Sequence, residues 1–139
     1  MNSILLDTNV LIYAFDESSE FHQKSVELFE SEENNLFVTT KNISEFFAVC
    51  SKLNFDLNKT LGFYADIKEN FEILKPSEYS LTIFESLIRK YNPRGNRVYD
   101  IEIVSVMLTN GLTKVATANF GDFSNIDEIE VVAVKFNPS

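Results

Sequence analysis

The chain has one cysteine, one histidine, three prolines, four glycines and no tryptophan. A single thiol, Cys50, excludes an intrachain disulfide and a thiolate metal cluster. Its neighbours Phe46, Phe47 and Val49 point to a buried thiol. The lone His22 lies at the start of a polar helical stretch, which argues against a histidine-based hydrolase site. Neither a Gly-rich phosphate loop nor a G-x-x-x-x-G-K-S/T motif is present. No apolar run approaches the roughly 20 residues needed to span a bilayer. Met1-Asn-Ser-Ile-Leu-Leu-Asp7 lacks the basic segment that opens a signal peptide. The expectation is a cytoplasmic protein without membrane association. Cations are scarce as well, with 12 Lys and Arg against 21 Asp and Glu, a formal charge of −9. That balance argues against broad attraction to nucleic acid and suits a basic protein partner, although metal ions and a local basic patch can reverse the field where they stand.

What remains is an ordinary folded composition, 45% hydrophobic and 24% charged, over 139 residues. The length fits one domain spanning residues 1–139, large enough to bury a sizeable core. Thirteen phenylalanines suggest a core filled by aromatic rings. Ile4–Leu6 reads as a short buried strand, followed by a helix from Thr8 or Asn9 through Phe15. Phe21, Ser25, Leu28 and Phe29 have helical spacing, 30–35 is a loop, and Leu36–Thr40 is rich in strand formers. Ile43, Phe46, Phe47, Cys50 and Leu53 form the next helical stripe, and Leu61, Tyr64, Ala65 and Ile67 another. Phe71–Leu74 is a third strand. Ser77 and Ser80 cap a helix carrying Leu81, Phe84, Leu87, Ile88 and Tyr91. Asn92-Pro-Arg-Gly-Asn96 is a loop, and Val98–Leu108 is a helix with Gly111 as its C-cap. Strands at Lys114–Thr117 and Glu130–Val134 close the chain. Strands separated by helices indicate an α/β fold with a parallel sheet flanked by helices.

Four acids stand just beyond apolar segments: Asp7 after Ser3-Ile-Leu-Leu6, Glu45 after Leu36-Phe-Val38, Asp100 after a basic loop, and Asp122 after Val115-Ala-Thr117. Open parallel sheets place their sites at the carboxyl ends of the strands. Carboxylates gathered there repel one another unless a hard divalent cation neutralises them. Each acid also has an ordinary structural use. Asp7 can cap a helix, though Thr8 or Asn9 can do so equally well, and Glu45 can sit at the rim of its apolar stripe. Asp100 suits a first helical turn, and Asp122 an Asx turn. Glu102, two positions beyond Asp100, lies roughly 200° around the helix and is expected to face elsewhere. Asp7-Thr-Asn9 has Asn where a haloacid-dehalogenase-like site carries a second Asp. Taken together, the acids predict a metal-dependent enzyme acting on phosphate esters.

Asp7-Thr-Asn-Val-Leu-Ile-Tyr13 after an apolar strand resembles the opening motif of PIN-domain ribonucleases. Asn42-Ile-Ser-Glu45-Phe46 resembles their second acidic motif, and Gly95-Asn-Arg-Val-Tyr-Asp100 with Ile103 their third. Thr117-Ala-Asn-Phe-Gly-Asp122-Phe123 resembles the T-x-N-x-x-D/E-F ending of VapC-type toxins. The resemblance covers essentially the whole chain, in order. It implies a sheet of about five parallel strands and an acidic pocket binding Mg²⁺ or Mn²⁺. Asp7, Glu45 and Asp100 match the family's ligands, and Asp122 its more variable fourth acid. Thr8 and Asn9 match the positions that support the first carboxylate. Thr117 and Asn119 match those that line the pocket, with Asn119 neutral where many relatives carry Asp. Arg94 and Arg97, preceded by Arg89 and Lys90, form the one basic cluster available for flanking RNA phosphates. The implied activity is endoribonuclease, as the toxin of a toxin–antitoxin pair. The implied partners are RNA, an antitoxin whose basic residue enters the acidic pocket, and a second copy in a homodimer. The Phe46-Phe47 and Phe63-Tyr64 stretches carry more rings than one helical stripe needs, which suggests exposed aromatic surface.

Overall fold

A computed structural model describes residues 2–135, so Met1 and 136–139, the ends of the sequence-based domain, lie outside the described residues. The elements run β1 (Asn2–Leu6), α1 (Thr8–Phe15), α2 (His22–Glu30), β2 (Asn34–Thr39), α3 (Thr40–Lys52), α4 (Leu57–Asn70), β3 (Glu72–Leu74), α5 (Glu78–Tyr91), α6 (Arg97–Thr109), β4 (Lys114–Thr117) and β5 (Glu130–Ala133). The five strands form one sheet in the order β3-β2-β1-β4-β5, and every pairing is parallel. The α/β architecture read from the alternation of strands and helices is the one observed.

β1 lies at the centre and shows how short apolar runs build both layers. Successive strand side chains point to opposite faces. Ile4 and Leu6 therefore enter one core with α1, α3 and α4 residues such as Leu11, Phe46 and Ile67, while Leu5 enters a second core with Leu87, Ile101 and Val104 from α5 and α6. Chain order reverses direction across the sheet between β1 and β4. Such a switch point opens a crevice at the carboxyl ends of the strands.

Several boundaries differ from the sequence expectation, for local physical reasons. β2 stops at Thr39 and not Thr40, because Thr39 turns to cap α3 in a reciprocal box with Asn42. The expected Ser77–Ser80 box opens α5, and Asn92 ends that helix in the left-handed conformation at φ 44°. Gly111, at φ +74°, follows the last turn of α6, where a residue without Cβ is least strained. Phe120–Asp122 is a short 3₁₀ turn.

The core on the α1 side is aromatic. Phe15, Phe46 and Phe63 meet with centroids 5.1–5.9 Å apart, and Phe55, Phe29 and Phe71 extend the group. The rings of Phe47 and Tyr64 are half-buried and pack edge to face at 5.2 Å. The expected surplus of exposed rings at Phe46-Phe47 and Phe63-Tyr64 is therefore corrected: those rings cover one another. The apolar surface beside them comes from Leu53, Leu57 and Leu61, all exposed.

Candidate active site

Asp7 leaves the end of β1 with its backbone fixed to β4, its N–H donating to the Ala116 carbonyl at 2.9 Å. It is the N-cap of α1, and its Oδ1 accepts from the Thr8 N–H at 2.8 Å. Its Oδ2 accepts from the Thr117 hydroxyl at 2.9 Å. Asp7 both caps the helix and reaches the pocket: Oδ1 is the cap, so neither Thr8 nor Asn9 is needed for it. Only 8% of Asp7 is exposed. Burial, the dominant cause, pushes its carboxyl up to about 6, against the two hydrogen bonds and with the help of negative charge on Glu45 and Asp122.

Asp100, in the first turn of α6, is pushed up further, to about 7, first by burial and then by repulsion from Asp122, Asp7 and Glu45, with Arg97 pulling the other way. Glu45 sits in the second turn of α3. Burial raises it too, while Lys41 and a hydrogen bond from the Thr8 hydroxyl at 3.3 Å hold it down. Glu102 raises Glu45 slightly through its charge, but as expected it faces elsewhere, lining a separate pocket with Pro76, Leu81 and Phe84. Asp7, Glu45, Asp100 and Asp122 line one pocket of about 400 Å³ with Thr8 and Asn9 on its polar side and Ile12, Tyr13, Val49 and Leu53 on its apolar side. The structure thus brings together the four acids that lay far apart in sequence.

The remaining sequence-derived positions divide. Asn9 donates through Nδ2 to the Thr117 oxygen at 3.2 Å and accepts from the Ala118 N–H at 3.1 Å, tying α1 to the end of β4. Thr117 is fully buried, and its hydroxyl oxygen also accepts from the Asn119 N–H at 3.0 Å. Thr117 and Asn119 are absent from the pocket wall where the resemblance put them; Thr117 stands behind Asp7 and orients it. Arg97 is exposed and close enough to act on Asp100, and Arg94 is exposed in the loop before it. Arg89 and Lys90 are not part of a free basic cluster, being paired with Glu85 at 2.8 Å and Glu128 at 2.7 Å.

A second set of residues supports the pocket from below. Asn42, fully buried, accepts through Oδ1 from the Thr39 N–H at 2.9 Å and from the Thr39 hydroxyl at 2.8 Å. Its Nδ2 donates to the Thr8 oxygen at 3.1 Å, and Thr8 in turn donates to Glu45. The chain Thr39–Asn42–Thr8–Glu45 locks β2, α3 and α1 together under the acids. Its sequence signal is the T-x-x-N spacing of a capping box ahead of an apolar stripe. Lys41 has a fainter signal: it is one helical turn before Glu45 and so shares its face.

The donor set is oxygen alone, which suits a hard divalent cation. Two carboxyls pushed up to about 6 and about 7, first by burial and then by the neighbouring acids, mark a pocket where negative charge is costly without a cation. Among the described residues no three His, Cys, Asp or Glu side chains stand at metal-ligand spacing.

A pH dependence of stability follows. Both carboxyls bind protons more tightly in the folded chain than in the unfolded one, so folding gains as pH falls. The contribution is fully present below the ordinary carboxyl value of 3.8 and is lost as pH rises through about 6 for Asp7 and about 7 for Asp100. For buried Asp7 a shift of this size corresponds to roughly 3 kcal/mol. In EDTA, the urea midpoint relative to that of Asp7→Asn is expected to be lower at pH 8 than at pH 5. A relative midpoint that does not change between these pH values would mean that Asp7 titrates normally.

Comparison with known proteins gives a consistent result. A family model described as PIN domain matches residues 4–129. Among solved structures, VapBC from Salmonella typhimurium, described as DNA bound, is 22% identical with a TM-score of 0.68, covering 99% of this chain and 100% of that one. VapBC2 from Rickettsia felis, bound to a DNA fragment from its promoter, is 17% identical with a TM-score of 0.70 and coverage of 97% and 99%. VapC20 from Mycobacterium tuberculosis, described as a sarcin–ricin loop cleaving toxin, is 16% identical with a TM-score of 0.71 and coverage of 89% and 95%. At these identities the likeness to solved structures is one of fold. A comparison with curated proteins found no match.

Proposed function

The chain belongs to the PIN-domain family, and from that premise we propose that it is a Mg²⁺- or Mn²⁺-dependent endoribonuclease, the toxin of a type II toxin–antitoxin pair. The observation that carries this reading is the convergence of Asp7, Glu45, Asp100 and Asp122 on one pocket at the switch point of the sheet. These four carboxylates would hold the cation. When bound, it supplies a lowered pKa for an attacking water and positive charge for the phosphate oxygens.

The protein's own groups do the rest. Thr117 and the Thr8 N–H fix both oxygens of Asp7, so that the carboxylate is oriented before substrate arrives. Lys41 and the Thr8 hydroxyl favour the ionised form of Glu45. Arg97, beside Asp100, and Arg94 in the preceding loop meet flanking RNA phosphates against an otherwise acidic surface. Ile12, Tyr13, Val49 and Leu53 offer an apolar wall on which an antitoxin segment lies while a basic residue reaches the acids. The exposed Leu57 and Leu61 of α4 supply apolar surface for a homodimer. An antitoxin partner is supported by the solved neighbours from Salmonella typhimurium and Rickettsia felis, both VapBC assemblies.

A second reading has its own support. The lack of a metal-ligand group among the described residues, the neutral Asn119 and the charge of −9 favour a PIN-like module that binds RNA or protein with weak or no nuclease activity. Incubating purified protein with a pool of RNAs separates the two. Cleavage at discrete positions with Mg²⁺ or Mn²⁺, stopped by EDTA, is the expected result. Intact RNA with either metal at millimolar concentration would leave the binding module.

A further inference from the structure

Lys41 and Tyr99 meet between the helix turns of α3 and α6 that carry Glu45 and Asp100. Lys41 is in the first turn of α3 and Tyr99 in the first turn of α6, yet the ammonium stands 4.0 Å from the centroid of the tyrosine ring. Each residue is tied to a pocket acid. Lys41 lies one turn before Glu45 and acts on its charge, and Tyr99 directly precedes Asp100. Neither lines the pocket itself. Tyr99 keeps 43% of its surface exposed, less than Tyr79 or Phe120, and of these three rings it is the one with an ammonium over its face.

On the reading that the pocket acts on single-stranded or looped RNA, we propose that Lys41 and Tyr99 form a clamp for one unpaired nucleotide beside the scissile phosphate. An exposed ring at the edge of a site is a stacking platform, and every base has a face to stack. A cation–π contact at an exposed position is weak enough to be exchanged for a base. When a base takes the ring, the ammonium is freed to meet a backbone phosphate. The pair therefore reads base face and backbone charge together, with no sequence readout. A paired base cannot reach the ring, since both its faces are already stacked in the duplex. The placement also answers the charge of −9: Lys41, with Arg97 across Asp100, sets a local positive lip where the backbone must approach.

The test measures binding and cleavage separately on the full chain. Fluorescence polarisation with Ca²⁺ reports affinity for a single-stranded RNA and for the same sequence in a duplex, and Mg²⁺ or Mn²⁺ reports cleavage. Tyr99→Ala and Lys41→Ala are each expected to weaken single-strand binding about tenfold, with little change for the duplex. Tyr99→Phe and Lys41→Arg should restore it. Lys41→Ala should also flatten the salt dependence of log Kd by about 0.7, one phosphate contact on a single strand. If the wild type cleaves RNA and both alanine variants bind it unchanged, the clamp is overturned and the nuclease reading stands. If single-strand binding depends on both residues but no RNA is cleaved, the nuclease reading falls and the clamp stands. Absence of any RNA binding by the wild type overturns both.

Discussion

Replacing Asp7 with Asn is expected to abolish metal-dependent RNA cleavage, by at least about 10³-fold, and at the same time to make the protein more stable. The two effects have one cause. Asp7 is buried at the end of β1, and its carboxyl is pushed up to about 6 chiefly by that burial. Keeping it ionised at pH 8 costs folding free energy, roughly 3 kcal/mol for a shift of this size. Asn removes the charge and retains an oxygen for the Thr8 N–H. Its amide then faces the Thr117 hydroxyl, which already accepts from Asn9 and from the Asn119 N–H. That crowding offsets about 1 kcal/mol, leaving a net gain of about 1–2 kcal/mol at pH 8. Urea unfolding in EDTA and gel-based cleavage on the same preparation read both effects. Undiminished cleavage by Asp7→Asn, with contaminating nuclease excluded, would remove Asp7 from the mechanism.

Phe46→Ala is expected to be the most destabilising single change in the aromatic core. Phe46 is fully buried and touches Phe15, Phe47 and Phe63 with centroids 5.5–5.9 Å away. Removing the ring leaves a cavity against Phe15, Phe47 and Phe63. A loss of about 3–5 kcal/mol is the usual scale for such a deletion. Against a domain stability of about 5–15 kcal/mol, that takes a large share. The consequence reaches the site, because Phe46 adjoins Glu45 on α3 and anchors the turn that presents it. Phe47→Ala, at a half-buried ring, should cost clearly less. Equal urea midpoints for the two variants would mean that α3 is held elsewhere.

Much of this architecture is legible in the residues themselves. Short apolar runs at Ile4–Leu6, Leu36–Val38 and Val115–Thr117 announce buried parallel strands, and an acid placed after each apolar segment announces where the site opens. Ser77 with Ser80 announces a helix start by local chemistry alone. The supports of the site are less visible, because they depend on contacts between distant positions. Thr117 orients Asp7 across 110 residues, and Asn42 reaches Thr8 across 34. Spacing along the chain carries no trace of either. Lys41 and Tyr99 likewise belong to different helices, and only the fold sets the ammonium over the ring. Arg89 and Lys90 mislead in the opposite sense: adjacent to the loop in sequence, they are held by Glu85 and Glu128 on the α5 side.

The central claim is that the acidic pocket is a divalent-cation site. Anomalous diffraction from a crystal soaked in Mn²⁺ tests it without recourse to any RNA. The account predicts a manganese peak coordinated by the Asp7 and Asp100 carboxylates, with Glu45 or Asp122 completing the protein ligands. A well-ordered pocket with no peak at millimolar Mn²⁺, or a peak held only by acids outside this pocket, would contradict it.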